Sequence, residues 1–276
     1  MPNPSNDQIV ADFRASGGRV GPPFENSRLV LVTTTGERTG NPHTVPLGYL
    51  PDGERLLVLG SAAGSDRHPQ WFRNLLAEPV ATVEDGVFRY EARAVVLEGA
   101  ERDAAFARAV ETDPGWQDHQ DRTHRVIPVV ALEPAGPPTP TATSWGAALV
   151  GVHGALRREL ALVRSEVAAS GGTLGAQLRV NCLTVCAGLH THHTMEDAGM
   201  LPALAAQHPD LAAVVDRLRA EHAGIAVLLE RLQEVTGSGG GGEDVLAQVD
   251  VLVAEVERHL DYEEAHLLPV LDGAGA

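Results

Sequence analysis

The 276-residue sequence contains no lysine: all 21 basic residues are arginine, against 37 acidic residues, for a formal net charge of −16. Any clamp on a phosphate or carboxylate must therefore be an arginine. A surface this acidic repels nucleic acid and anionic membranes, so neither is an expected partner. Cysteine is nearly absent as well. Cys182 and Cys186 are the whole supply. Their i, i+4 spacing on a helix suits small core residues better than a disulfide. No run of 18 apolar residues occurs, which argues against a membrane span. The first residues, Met1-Pro-Asn-Pro-Ser-Asn-Asp7, have neither the basic nor the apolar segment of a signal peptide, and the expected location is the cytoplasm.

The chain length suggests more than one domain. Glu133-Pro-Ala-Gly-Pro-Pro-Thr-Pro-Thr-Ala-Thr-Ser144 has four prolines and no apolar period. It reads as an extended, semi-rigid linker over 135–143, dividing a domain at 1–134 from one at 144–276. The first half is β-like, with strands expected at 28–34, 44–50, 55–60, 80–84, 87–97 and 126–132 and helices at 69–77 and 101–111. Asp52-Gly53 and Asp85-Gly86 mark hairpins. The fold class expected is a small, mainly antiparallel α+β barrel. The second half is helical over 144–169, 174–198, 210–235 and 243–270, with a glycine-rich break at Gly237-Ser-Gly-Gly-Gly-Gly242, which predicts an antiparallel four-helix bundle. The whole chain is thus multidomain.

Histidine is distributed unequally: four residues precede position 140 and eight follow it. Two stretches repeat one pattern. His192-His-Thr-Met-Glu196-Asp-Ala-Gly-Met-Leu-Pro202 and His259-Leu-Asp-Tyr-Glu263-Glu-Ala-His-Leu-Leu-Pro269 each carry His and Glu at i, i+4, then an acidic residue, then Leu-Pro. That spacing puts imidazole and carboxylate on one helix face. Two such faces meeting in a bundle can hold two metal ions and bridge them through carboxylates. His153 and His222 fall mid-helix on the other two helices. A donor set of histidine and carboxylate without cysteine suits iron or another borderline cation.

On these residues the second half resembles hemerythrin-like HHE cation-binding domains. The resemblance implies a di-iron centre, two iron ions held by His153, His192, Glu196, His222, His259 and Glu263. Oxygen-carrying members have a further histidine one turn after the helix-three ligand, and Ala226 stands there in this sequence. His193, water or a tyrosine such as Tyr262 are the alternatives for that coordination position.

In the first half, three clusters stand out. Thr33-Thr-Thr-Gly36-Glu-Arg38-Thr39-Gly40-Asn-Pro-His43-Thr44-Val-Pro46-Leu47 joins two strands by a polar loop able to cradle an anion. Ser61-Ala-Ala-Gly64-Ser-Asp-Arg67-His68-Pro69-Gln-Trp71-Phe-Arg-Asn74 leads a glycine loop into a helix. The third is Pro114-Gly-Trp116-Gln-Asp-His119, running on to Arg125. With Phe13-Arg14 and Gly17-Gly-Arg-Val-Gly21, they make residues 8–134 similar to the deazaflavin-dependent nitroreductase family. The resemblance implies a split β-barrel binding the deazaflavin coenzyme F420 through Arg38, Thr39, His43, Thr44, Pro46, Leu47, Ser61, Trp71 and Asn74. Trp116 is a candidate for stacking on an aromatic ring or, equally, for plugging the barrel. His43 replaces a frequent arginine, and Gly48, Trp116 and His119 stand where some members have substrate-side tyrosines.

No nucleophile or catalytic triad is evident, as expected when the coenzyme carries the chemistry. The expected function is an F420-dependent oxidoreductase passing a hydride to a quinone-like or other electrophilic small molecule. Its di-iron domain is expected to react with oxygen, peroxide or nitric oxide. The alternative is a non-enzymatic iron or oxygen sensor, or an iron-binding protein with a regulatory coenzyme-binding barrel. Flavin mononucleotide in place of the deazaflavin is a third reading.

Overall fold

A computed structural model describes residues 5–171, 174–237 and 242–273. The chain divides into two compact units, Met1–Thr141 and Ala142–Ala276. The first contains α1 (Asn6–Ala15), β1 (Leu29–Thr35), β2 (Pro42–Asp52), β3 (Arg55–Leu59), α2 (Gln70–Ala77), β4 (Val80–Glu84), β5 (Phe88–Val96), α3 (Gly99–Thr112), α4 (Gly115–Asp121), β6 (Val129–Pro134) and β7 (Thr139–Pro140). The strands pair antiparallel in the order β4-β1-β2-β3-β6-β5, and β4 pairs again with β5, so six strands close on themselves. Closure removes the free edges that an open sheet would expose.

The period of two along each strand divides the apolar residues between two faces. Val58 on β3 and Val130 and Leu132 on β6 join Val30, Val32 and Val83 in one cluster, onto which α2 packs Trp71, Phe72 and Leu75. Their neighbours Leu57, Leu59, Val129 and Ala131 join a second cluster, covered by Phe106 and Ala109 of α3. This double burial is why β3 and β6 read as continuous apolar runs. The β4–β5 turn requires its glycine. Gly86 has φ +100°, and a Cβ there would lie 2.6 Å from the Cα of Gly18.

Two helices, α1 and α4, were not expected. α1 buries only Ile9 and Phe13, too few to show a period; it is held by the Ser5 cap and by Arg14, which donates to both carboxylate oxygens of Glu84 at 2.9 and 2.6 Å. Part of the proline-rich segment expected as an extended linker over 135–143 pairs with the barrel. Thr139 and Pro140 pair with Arg89 and Phe88 as β7, and the Thr141 N–H donates to the Val87 carbonyl at 2.8 Å. Extended proline-rich backbone lies close to β geometry, so it can pair at a position where the missing N–H costs nothing.

The second unit contains α5 (Trp145–Ala169), α6 (Ala176–Met195), α7 (Leu201–Gln207), α8 (Ala212–Gly237) and α9 (Gly242–Gly273). Ser144 caps α5 by accepting from the Ala147 N–H. α5 packs on α6 and α9, and α8 packs on α6 and α9, giving the ring of a four-helix bundle. Residues 238–241, within the expected glycine loop, lie outside the described residues. The expected helix over 174–198 differs at its end: Glu196–Met200 form a π-helical turn leading into α7, whose first turn holds Pro202. The wider turn carries the chain to a residue that has no N–H to donate.

Two apolar clusters fill the bundle; α5, α8 and α9 contribute to both, α6 to the larger and α7 to the smaller. Leu160, Leu189, Ile225 and Leu260 belong to the larger. Leu149, Leu201, Leu218 and Leu267 belong to the smaller. Between the two clusters α5, α6, α8 and α9 each present histidine. Among the described residues no helix is long and apolar enough to cross a membrane.

Candidate functional site

Seven side chains meet between those two clusters. His153 comes from α5, His192 and His193 from the end of α6, Glu196 from the π turn, His222 from α8, and His259 and Glu263 from α9. All are buried except His192, which is partly so. They form two groups, His193, His222 and His259 in one and His153, His192, Glu196 and Glu263 in the other. Within each group, donor atoms lie within 4.8 Å of one another.

The tautomers follow from what stands behind each ring. His222 Nδ1 lies 2.9 Å from Asp197 Oδ1, His259 Nδ1 lies 3.0 Å from Glu221 Oε2, and His153 Nδ1 lies 2.9 Å from Glu264 Oε1. Arg157 steadies the last carboxylate, donating to Glu264 at 2.7 Å and also to Glu257 and Asp261. A neutral imidazole has one N–H. If Nδ1 donates to these carboxylates, the Nε2 lone pairs point inward. Burial holds all five rings in the neutral form: it pushes His153 and His192 down to about 3 and His193 to about 2, and it lowers His222 and His259 as well.

The inward atoms have little else to bind. His222 Nε2 and His259 Nε2 face each other at 3.2 Å. Two lone pairs at that separation repel, whereas two nitrogens each about 2.1 Å from one ion stand roughly 3.0–3.4 Å apart. The Nε2 atoms of His153, His192 and His193 and all four carboxylate oxygens of Glu196 and Glu263 are buried without a hydrogen-bond partner. Such a concentration of unsatisfied buried groups is foreign to a stable core unless a cation satisfies them. The carboxylates also span both groups. Glu196 lies 3.2 Å from His192 Nε2 through one oxygen and 3.6 Å from His222 Nε2 through the other. Glu263 Oε2 lies 3.5 Å from His153 Nε2 and 3.6 Å from His259 Nε2. Burial raises the pKa of both glutamates, and for Glu196 the nearby Glu263 adds to it. The donor set therefore fits a borderline cation, and both glutamates reach both groups.

The structure brings together all six residues expected from the sequence. Tyr262 is not among them: its ring lies 3.6 Å beneath the Arg217 guanidinium and meets His266 at a tilt, with ring centroids 3.9 Å apart. Asp197, Glu221, Glu264 and Arg157 were missed. A signal for two of them was visible, because each Glu of the repeated pattern is followed by an acidic residue, but its target could not be read.

In the barrel, the β1–β2 loop is built around turns. Gly36 N–H donates to the Asn41 carbonyl at 2.8 Å, Gly40 has φ +68°, and Thr39 Oγ1 accepts from Asn41 N–H at 3.2 Å. Arg38 projects from it with 85 % of its side chain exposed. His43 is exposed on β2, Thr44 shares a 2.8 Å hydroxyl contact with Thr33, and Pro46 and Leu47 are half-buried. Asn74 is fully buried beneath the loop. It donates to Thr34 Oγ1 at 2.9 Å and accepts from the Glu37 N–H at 3.1 Å and from Gln70 at 2.8 Å. Asn74 therefore holds the loop from beneath, while Trp71 packs in the core. Ser61 opens a segment in which Ala62 and Ala63 adopt φ of 47° and 54°. Arg125 ties it down, donating to the Ser61 and Ser65 carbonyls at 2.6 and 2.8 Å. Trp116 is half-buried, packs against the α3 cluster and meets His119 edge-on.

The family model described as F420H(2)-dependent quinone reductase matches residues 7–134. An F420H(2)-dependent quinone reductase of Mycobacterium tuberculosis is 32 % identical over 126 residues, which span 44 % of this chain and 85 % of that protein. The chain belongs to the F420H(2)-dependent quinone reductase family. To that family's domain it adds a second one: the model described as hemerythrin HHE cation binding domain matches residues 147–271. Among solved structures, an F420-H2 dependent reductase is 36 % identical, covering 38 % of this chain and 94 % of that one with a TM-score of 0.36.

Proposed function

We propose that the barrel oxidises the reduced coenzyme F420 and that the bundle holds a di-iron centre. The observation that carries the first half is family membership across the whole barrel. The coenzyme supplies a hydride. A quinone that accepts it together with one proton becomes the hydroquinone, so a quinone or similarly conjugated acceptor balances the reaction in one two-electron step. The chain's own contribution is positioning. Arg38, at the exposed tip of the β1–β2 loop, is assigned to an anionic group of the coenzyme. Thr39, His43, Thr44, Pro46 and Leu47 line the same loop and strand, which Asn74 supports from beneath, and Ser61, Trp71 and Trp116 are assigned to the coenzyme with them.

For the bundle, the carrying observation is the Nε2-to-Nε2 encounter of His222 and His259 among buried carboxylates that have no other partner. Iron supplies redox chemistry toward oxygen, peroxide or nitric oxide. The residues supply a buried donor set: the uncharged imidazoles of His153, His192, His222 and His259, and two glutamates whose charge is balanced when the ions bind.

The test has two arms on the full chain. Anaerobic mixing with reduced F420 and a soluble quinone should restore the absorbance of the oxidised coenzyme only when both are present. Metal analysis after iron loading should give two ions per chain. Iron binding without turnover against any quinone would favour a sensor; turnover with fewer than two ions would remove the dinuclear reading.

A further inference from the structure

We propose that His193 is itself a metal ligand, which with His222 and His259 gives one ion three imidazoles and leaves the other with His153 and His192. The proposal rests on the dinuclear reading of the bundle and sharpens it.

Successive residues of a helix point about 100° apart. At the end of α6 that angle distributes two adjacent histidines between the two groups. His192 turns toward α5, its ring 5.3 Å from that of His153. His193 turns toward α8 and α9: its ring stacks on His222 at 4.1 Å and 11°, and meets His259 edge-on at 5.1 Å. A ring nitrogen from each of these three lies within 4.8 Å of those of the others. The site thereby obtains from α6 what α8 does not provide beyond His222, since one turn further along α8 stands Ala226.

The competing account makes His193 a packing residue. It explains the stack on His222, but it leaves Nε2 buried and unpartnered. It also gives no reason for a polar ring beside two others whose lone pairs converge. Ligation answers both, because three neutral nitrogens within 4.8 Å of one another are donors that a borderline divalent cation prefers.

Cobalt(II) is a suitable probe, because its visible bands report the number and kind of donors, and the full chain can be titrated with it. Wild type should bind two ions. His193→Gly should release one of the two at least tenfold faster into a chelator, with altered bands, and added imidazole should restore both. His193→Gln keeps a side chain of similar reach and should show the same loss, which guards against a glycine variant that does not fold. His190→Gly, at an exposed position of the same helix, should match wild type. Wild-type bands and release in both His193 variants would overturn the proposal, as would a loss that imidazole does not repair. A wild-type chain that binds one ion whose release depends on His193 would keep this ligand and discard the dinuclear site.

Discussion

His222 Nε2 lies 3.2 Å from His259 Nε2, and each ring has a carboxylate behind its Nδ1, Asp197 for His222 and Glu221 for His259. When each Nδ1–H donates to its carboxylate, the two Nε2 lone pairs are left face to face. A carboxylate behind a ligating imidazole fixes its orientation and makes its free nitrogen more basic.

Removing either outer carboxylate should therefore weaken metal binding without removing a ligand. Glu221→Ala and Asp197→Ala should each lower affinity about 10–100-fold, and Glu264→Ala should do so through His153. Competition against a coloured chelator measures this. Affinity unchanged in all three would mean that the rings are oriented by packing alone.

The metal-free protein should respond to pH in two opposed ways. The histidines have lowered pKa values in the fold, so their contribution is complete above the unfolded value of 6.5 and lost as pH falls below it. Glu196 and Glu263 have raised values, so their contribution is complete below 4.5 and lost as pH rises. Above pH 6.5 only the glutamates still titrate in this sense. The melting temperature of chelator-stripped protein should thus fall from pH 6.5 to 9, and metal, which replaces those protons, should flatten the fall. Thermal melts of both forms across that range decide it; parallel curves would contradict the assignment.

In the barrel, Arg38 and Asn74 should separate binding from folding. Arg38 is exposed, so Arg38→Ala should leave the melting temperature alone and weaken F420 binding about tenfold to a hundredfold. Asn74 has its hydrogen bonds inside the protein, so Asn74→Ala should cost about 1–3 kcal/mol of stability. Fluorescence titration and melts on the two variants provide the comparison. An Arg38 variant with full affinity would place the coenzyme's anionic group elsewhere.

The two reactions should be separable by a single substitution. His259→Ala removes a ligand from the bundle and nothing from the barrel. Anaerobic quinone reduction should survive it, whereas any oxygen-dependent oxidation of reduced F420 that uses the iron should slow. Equal aerobic rates in both proteins would show that the bundle does not draw on the barrel's electrons.

The architecture was largely legible in the sequence because it rests on local periods. Short apolar or alternating runs and Asp-Gly turns marked the six barrel strands, and the helical pattern of each long segment marked the bundle. His192-x-x-x-Glu196 and His259-x-x-x-Glu263 were visible for the same reason: an i, i+4 pair shares a face whatever the helix packs against. What lacked a period was missed. α1 shows only Ile9 and Phe13, and β7 depends on a partner strand some fifty residues away. The role of His193 also depends on other helices. Its neighbour His192 satisfies the local pattern, and only the packing of α6 against α8 and α9 turns His193 toward His222 and His259. Asp197, Glu221 and Glu264 are ordinary surface acids until a histidine from another helix stands before each. Local chemistry is set by spacing along the chain, but a ligand shell is set by which side chains from different helices reach one point, and tertiary packing alone decides that.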